Sequence, residues 1–150
     1  MSILVVGSVA FDSIATPFGR AERVIGGSAT YFSVAASFFS PVQVVAIVGE
    51  DFTEKDLEVF QGRQIDTSGI ERVPGKTFFW RGEYGYDLNV ADTRETQLNV
   101  FADFRPQLPS AFTSPDVLFL ANIDPDLQFD VLGQTQRPRL VALDTMNYWI

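Results

Sequence analysis

The chain has 150 residues, the length of one ordinary domain, and its 46% hydrophobic content with 14 phenylalanines can fill a core. Nineteen acidic against 11 basic residues give a net charge of −8, which excludes a generalised attraction to nucleic acid or anionic membranes, since both need clustered Lys and Arg. With no Cys and no His, the sequence excludes disulfides, thiolate metal sites, Cys nucleophiles and imidazole bases, leaving carboxylates, hydroxyls, amides, backbone groups and cations for any chemistry.

Residues 2–6 (SILVV) form a short continuous apolar run ending at Gly7, the pattern of a strand buried on both faces of a parallel sheet. The start carries neither a basic region nor a small-residue cleavage site, and no apolar run reaches the ~18 residues of a membrane span. A cytoplasmic protein with small neutral partners is expected. Residues 28–39 (SATYFSVAASFF) follow a Gly-Gly pair and are apolar nearly all round, which predicts a buried helix with Ser28 able to cap its start. Residues 42–48 (VQVVAIV) predict a second buried strand. Residues 53–60, opened by Thr53 with Asp56 three positions on, predict an amphipathic helix with a capping-box start. The strand and helix rhythm returns at residues 117–120, 126–136 and 140–143, so both ends of the chain predict an α/β fold with a mainly parallel sheet.

Residues 69–101 differ in character. Turn signals such as Pro74-Gly75 separate alternating runs. Residues 77–86 (TFFWRGEYGY) place Phe78, Trp80, Tyr84 and Tyr86 on one face with Arg81 and Glu83 on the other, and residues 95–101 (ETQLNVF) alternate as well. Such antiparallel strands with one aromatic face, inserted into a parallel domain, make a candidate lid or partner surface. The chain ends DTMNYWI directly after a strand-like run, without a polar tail, which predicts a cut rather than a finished domain.

Ligands of open parallel sheets bind beyond the carboxyl ends of the strands, which is where Asp12 falls, five residues after Gly7. A carboxylate there can accept hydrogen bonds from two neighbouring hydroxyls and grip a polyol, or it can simply cap a turn. Gly26-Gly27 before a helix lets backbone approach a ligand and presents free N–H groups, or serves as a plain turn. Thr30, within the first turn of that helix, can offer its hydroxyl to the same ligand or bond back to its own helix. Gly7 stands without a G-x-G-x-x-G, and no G-x-x-x-x-G-K-[ST] occurs, so dinucleotide and P-loop readings are excluded.

The run Gly26-Gly-Ser-Ala-Thr-Tyr-Phe-Ser-Val-Ala-Ala-Ser37, then Ile47-Val-Gly-Glu-Asp51 and Ile65-Asp-Thr-Ser-Gly-Ile70, resembles in order and spacing the first signature of the PfkB (ribokinase-like) carbohydrate and nucleoside kinases. Leu143-Asp-Thr-Met-Asn-Tyr-Trp-Ile150 is similar to the stretch where such kinases leave a central strand. The matches span essentially the whole chain.

The resemblance implies a ribokinase-like three-layer α/β/α fold with a small antiparallel β lid at about residues 70–101, joined by residues 14–25, which closes over a sugar and often forms a homodimer contact. It implies that Asp12 holds sugar hydroxyls and that Gly26 and Gly27 line the sugar and act as a hinge. The family commonly has Asn where Thr30 stands. Phe78, Trp80 and Tyr84 fall on the lid, and Asp144 and Asn147 resemble a polar pair on the phosphate side. The Gly-Ala-Gly-Asp run that carries the family's catalytic base lies in the second half of a chain about twice this length and does not occur here. The full enzyme is expected to transfer the γ-phosphoryl of ATP, with Mg²⁺, to a hydroxyl of a sugar or nucleoside. These 150 residues alone are expected to be inactive. A non-catalytic sugar-binding or lid-paired module of the same fold is the second expectation, and a carboxylate-only hydrolase using Asp124 and Asp126 is a third.

Overall fold

The computed structural model describes residues 1–145. Five strands, β1 (Ile3–Val6), β4 (Val42–Gly49), β5 (Ile65–Val73), β8 (Val117–Leu120) and β9 (Leu140–Leu143), form one sheet in the order β5-β4-β1-β8-β9. Every pairing in it is parallel. The continuous apolar runs explain this: β1 is buried at all four positions, and alternate residues of one strand feed two different cores. Val5, Val44, Ala46 and Val48 join Ala29 and Phe60 on the side of helices α1 (Ser28–Ala36) and α2 (Glu54–Leu57). Leu4, Val6, Val45 and Leu118 join Phe104, Phe112 and Val131 on the side of helix α3 (Pro125–Gln134) and two short 3₁₀ helices, Asn99–Asp103 and Ser110–Phe112. The result is the three-layer α/β/α architecture expected.

A second sheet of four strands has the order β3-β2-β6-β7, built from β2 (Ala10–Thr16), β3 (Gly19–Gly26), β6 (Phe79–Tyr84) and β7 (Ala91–Gln97). Its two outer pairs are antiparallel and its central pair, β2 with β6, is parallel. The parallel pair has a topological cause. Both β2 and β6 follow parallel strands of the main sheet and leave it from the same carboxyl edge, so they run outward side by side.

Several expectations shift in detail. Residues 65–73 are an edge strand of the main sheet, so the small sheet takes up the chain again near residue 77 rather than 70. Residues 98–101 turn into a 3₁₀ helix instead of continuing β7. The helix expected over residues 53–60 is one turn, Glu54–Leu57, although its capping box is present, with Asp56 Oδ2 accepting from the Thr53 amide at 2.7 Å and hydroxyl at 2.8 Å. Among the described residues no helix is long and apolar enough to cross a membrane.

Candidate functional site

The main sheet reverses its winding at β1. The chain passes from β1 to β4 and β5 on one side and returns to β8 and β9 on the other, and at such a reversal ligands of open α/β sheets bind beyond the carboxyl ends of the strands, here those of β1 and β8. Gly27 sits at this mouth of the sheet as the residue before α1, with φ 94, a conformation that L side chains rarely adopt, and an added Cβ would overlap the Ser8 carbonyl. Ser28 was expected to cap α1. Its hydroxyl instead lies 3.1 Å from Ser8 Oγ and accepts from the Asn122 amide at 3.0 Å, tying the starts of β2, α1 and the loop after β8 together.

Asp12 stands on β2 opposite Trp80 of β6 and Val24 of β3. Its carboxyl lies so close over Gly26 that any side chain there would collide with it. Three expected residues, Asp12, Gly26 and Gly27, thus converge on one mouth. The Asp12 side chain is half-buried and finds no hydrogen-bond donor among the described residues, and burial raises its pKa from 3.8 to about 6. A half-buried carboxylate without donors keeps its acceptor capacity free.

Thr30 falls the other way. It is 2% exposed, and its hydroxyl donates to the Gly26 carbonyl at 2.8 Å, so it braces the glycine turn and has no free proton for a ligand. The neighbouring Tyr31, absent from the expected set, is 59% exposed on the same first turn. Burial, followed by the nearby Asp12 and Tyr84, raises its phenol pKa, which puts all three side chains in one neighbourhood. The apolar run around Tyr31 made it look like core; only its place four residues after Gly27 could have singled it out.

From the small sheet, Trp80 and Tyr84 share the Asp12 face, their rings 6.5 Å apart in an edge-on arrangement. The Trp80 indole covers Gly82, where an added Cβ would overlap the ring, and donates to Thr93 Oγ1 at 3.2 Å. Phe78 does not join them. It stacks on Phe101 at 5.2 Å, and Phe101 on Phe104 at 5.7 Å, anchoring the root of β6 to the core beneath. Tyr86 lies beyond β6 and meets Phe18 edge-on at the sheet's tip.

Asp144 follows β9 at the same carboxyl edge, its amide donating to the Leu120 carbonyl at 2.9 Å and its own carbonyl accepting from Gln128 at 3.1 Å. Asn147 lies outside the described residues. Asp124 caps α3 by accepting from the Asp126 amide at 2.8 Å, so this member of the acidic pair serves the helix start. Among the described residues no three carboxylates cluster into a cation site.

A parallel sheet that reverses its winding at β1, with a glycine turn before α1 and a second, four-stranded sheet beside it, is the ribokinase-like arrangement. Comparison with known proteins agrees. No protein-family model matches the chain. A cytidine kinase of Thermococcus kodakarensis is 26% identical over 143 residues, which cover 95% of this chain and 51% of the relative. The chain therefore spans about half the length of that curated relative. Among solved structures, a ribokinase of Cryptococcus neoformans in complex with ADP superposes with a TM-score of 0.72 at 19% identity, over 97% of this chain and 49% of that one. The nucleoside kinase of Methanocaldococcus jannaschii, an archaeal member of the ribokinase family, gives 0.68 at 18%, over 95% and 52%. The fold is ribokinase-like, and the resemblance to the PfkB kinases holds in both sequence and structure.

Proposed function

We propose that these residues form the substrate-holding half of an ATP-dependent kinase that phosphorylates a hydroxyl of a nucleoside or sugar. The observation that carries this reading is the Asp12 carboxyl, half-buried, without a donor of its own, pressed against Gly26 and facing Trp80. Ionised, it accepts from two adjacent hydroxyls of a ribose or hexose, which fixes the ring and aims a further hydroxyl at the phosphoryl donor. The small sheet serves as a lid whose Trp80 and Tyr84, with Tyr31 from α1, cover an apolar ring face and exclude water. The cytidine kinase relative favours a nucleoside, whose flat base suits three aromatic side chains.

ATP supplies the phosphoryl group and Mg²⁺ offsets its charge. In this reading the catalytic base belongs to the other half of the enzyme, and the 150 residues bind without turning over. A second reading, a non-catalytic module that pairs with a copy of itself through the lid, is favoured by one feature. Phe18 and Tyr86 at the lid tip are 73% and 82% exposed.

The test is calorimetric titration of the chain with cytidine, other nucleosides and sugars, beside an ADP-release assay of the gene's full product. Binding with turnover in the full product is expected. Binding without turnover there would favour the second reading, and no binding to either class would overturn both.

A further inference from the structure

Behind the small sheet, on the face away from Asp12, a cavity of about 470 Å³ is lined by Phe11, Arg23, Asp51, Thr77, Phe79 and Arg81 among others. Asp51 is its hub. One carboxylate oxygen accepts from both the amide and the hydroxyl of Thr77 at 2.7 Å, and the other accepts from Arg23 at 3.1 Å, while the same Arg23 nitrogen reaches the Asp51 carbonyl at 3.2 Å. Thr77 Oγ1 in turn accepts from the Gly49 amide at 2.9 Å, locking the end of β4 to the chain entering β6. Although burial opposes it, the Thr77 hydrogen bonds and the Arg23 charge hold the Asp51 pKa below the usual range, so the hub is charged at neutral pH.

Arg23 carries the contact onward. It has φ 50, a conformation that persists in a non-glycine residue only where surroundings over-determine it, and its amide donates to Ser13 Oγ at 3.0 Å. Its guanidinium lies 3.7 Å over the Phe11 ring. Phe11 and Ser13 flank Asp12, and the pairing of β2 with β3 shifts register between Asp12 and Ile14. A bulge of this kind re-aims a side chain.

We infer that Asp51 is a positioning residue: by pinning Arg23 on β3 and Thr77 at the entry to β6 it holds the root of the small sheet and aims the Asp12 carboxyl at the ligand from behind. The inference rests on the reading of Asp12 as the hydroxyl clamp. Arg23 and Asp51 remain 48% and 32% exposed at their side chains, so the pair contributes little to global stability and its effect is local geometry.

The test uses Asp51→Asn and Arg23→Lys in the 150-residue chain with Trp149→Phe, which leaves Trp80 as the single indole. Amide hydrogen exchange is read in β2, β3 and β6 against β1 and β4, and cytidine or sugar titrations are followed by Trp80 emission. Asp51→Asn is expected to speed exchange in the small sheet roughly tenfold, the size of one lost charged hydrogen bond, with β1 and β4 unchanged. The dissociation constant should rise by a similar factor, and Arg23→Lys, which keeps the charge without the planar fork, should fall between. Unchanged small-sheet exchange in both variants, or an equal rise in β1 and β4, would overturn the inference. A wild-type chain that binds no nucleoside or sugar would sink the role of Asp12 instead, while the exchange pattern still decides whether Asp51 holds the sheet.

Discussion

The two sheets of this molecule are stabilised by different physics. In the main sheet, β1 and β4 are buried on both faces, and residues such as Leu4, Val5, Val44 and Leu118 have no exposed surface. In the small sheet, β3 and β7 are largely exposed, and the cross-strand side-chain contacts include surface ion pairs, Arg94 with Glu83 at 2.9 Å and Arg81 with Glu22 and Glu95 at 3.8 Å each. Such pairs are worth a few tenths of a kcal/mol. Only at its root, where Phe11, Ile25 and Phe79 reach the core, is the small sheet tied down by apolar burial. The main sheet is held by burial on both faces and the small one by fewer, more exposed contacts, so local opening should cost less in the small sheet.

The largest expected effect tests the first half of that contrast. Leu118→Ala, at a fully buried position, should cost about 3 kcal/mol of global stability in urea unfolding. A loss under about 1 kcal/mol would mean that the β8 core is not packed as described. Asp12→Ala probes the opposite side. It should weaken nucleoside or sugar binding at least about 100-fold by titration, because the clamp on two hydroxyls is gone, and leave the unfolding midpoint unchanged or raised. Binding that survives within about threefold would remove Asp12 from the site.

The same contrast decides what could be read from the sequence. Burial writes itself as runs such as VQVVAIV, and β1, β4, β8 and the three-layer arrangement followed directly, while β9 was read from a short apolar run although it lies largely exposed at the sheet edge. The convergence of Asp12, Gly26 and Gly27 was legible through the resemblance to the PfkB kinases; strand-end geometry alone placed Asp12 and left it open between a hydroxyl clamp and a turn cap. The small sheet is set by pairing rather than by pattern. Nothing in GRAERVIG announces β3, and the parallel partnership of β2 with β6 depends on where both strands exit. Phe78 was assigned to the aromatic face by alternation alone, but it precedes β6, where anchoring to Phe101 outweighs the period of two. The burial of Thr30 and the exposure of Tyr31 escaped the sequence for a similar reason: which side of α1 faces outward depends on how Gly27 turns the chain, and a helix apolar all round does not declare it.

Gly82→Ala would break the aromatic roof without touching the main sheet. The new methyl overlaps the Trp80 indole, which must swing away and give up its bond to Thr93. A cost of about 1 to 2 kcal/mol is expected, read as faster hydrogen exchange in β6 and β7 alone, with a shift of Trp80 emission and weaker ligand binding. Exchange rising equally in β4 would show that the two sheets do not open independently.

The smallest effect separates the two sheets by pH. An unfolded Asp12 titrates near 3.8 and the folded one near 6, so between those values the folded chain holds the extra proton. Stability from this group is therefore present at low pH and falls as pH rises across that window. Asp12→Asn, which carries no charge to desolvate, should be more stable than wild type by about 1 kcal/mol at about pH 7.5, a figure discounted for the carboxyl's solvent-open side, and equal to it at about pH 3.5. Ligand binding should run in the opposite direction, strengthening as pH climbs through about 6, because only the carboxylate accepts from both hydroxyls. Urea unfolding of both proteins at several pH values, paired with titrations at the same points, checks the two slopes together. A stability difference that stays constant with pH would show that Asp12 does not sit desolvated at the mouth of the sheet. Opposed slopes would show that the chain gives up stability at this residue so that a ligand can restore it.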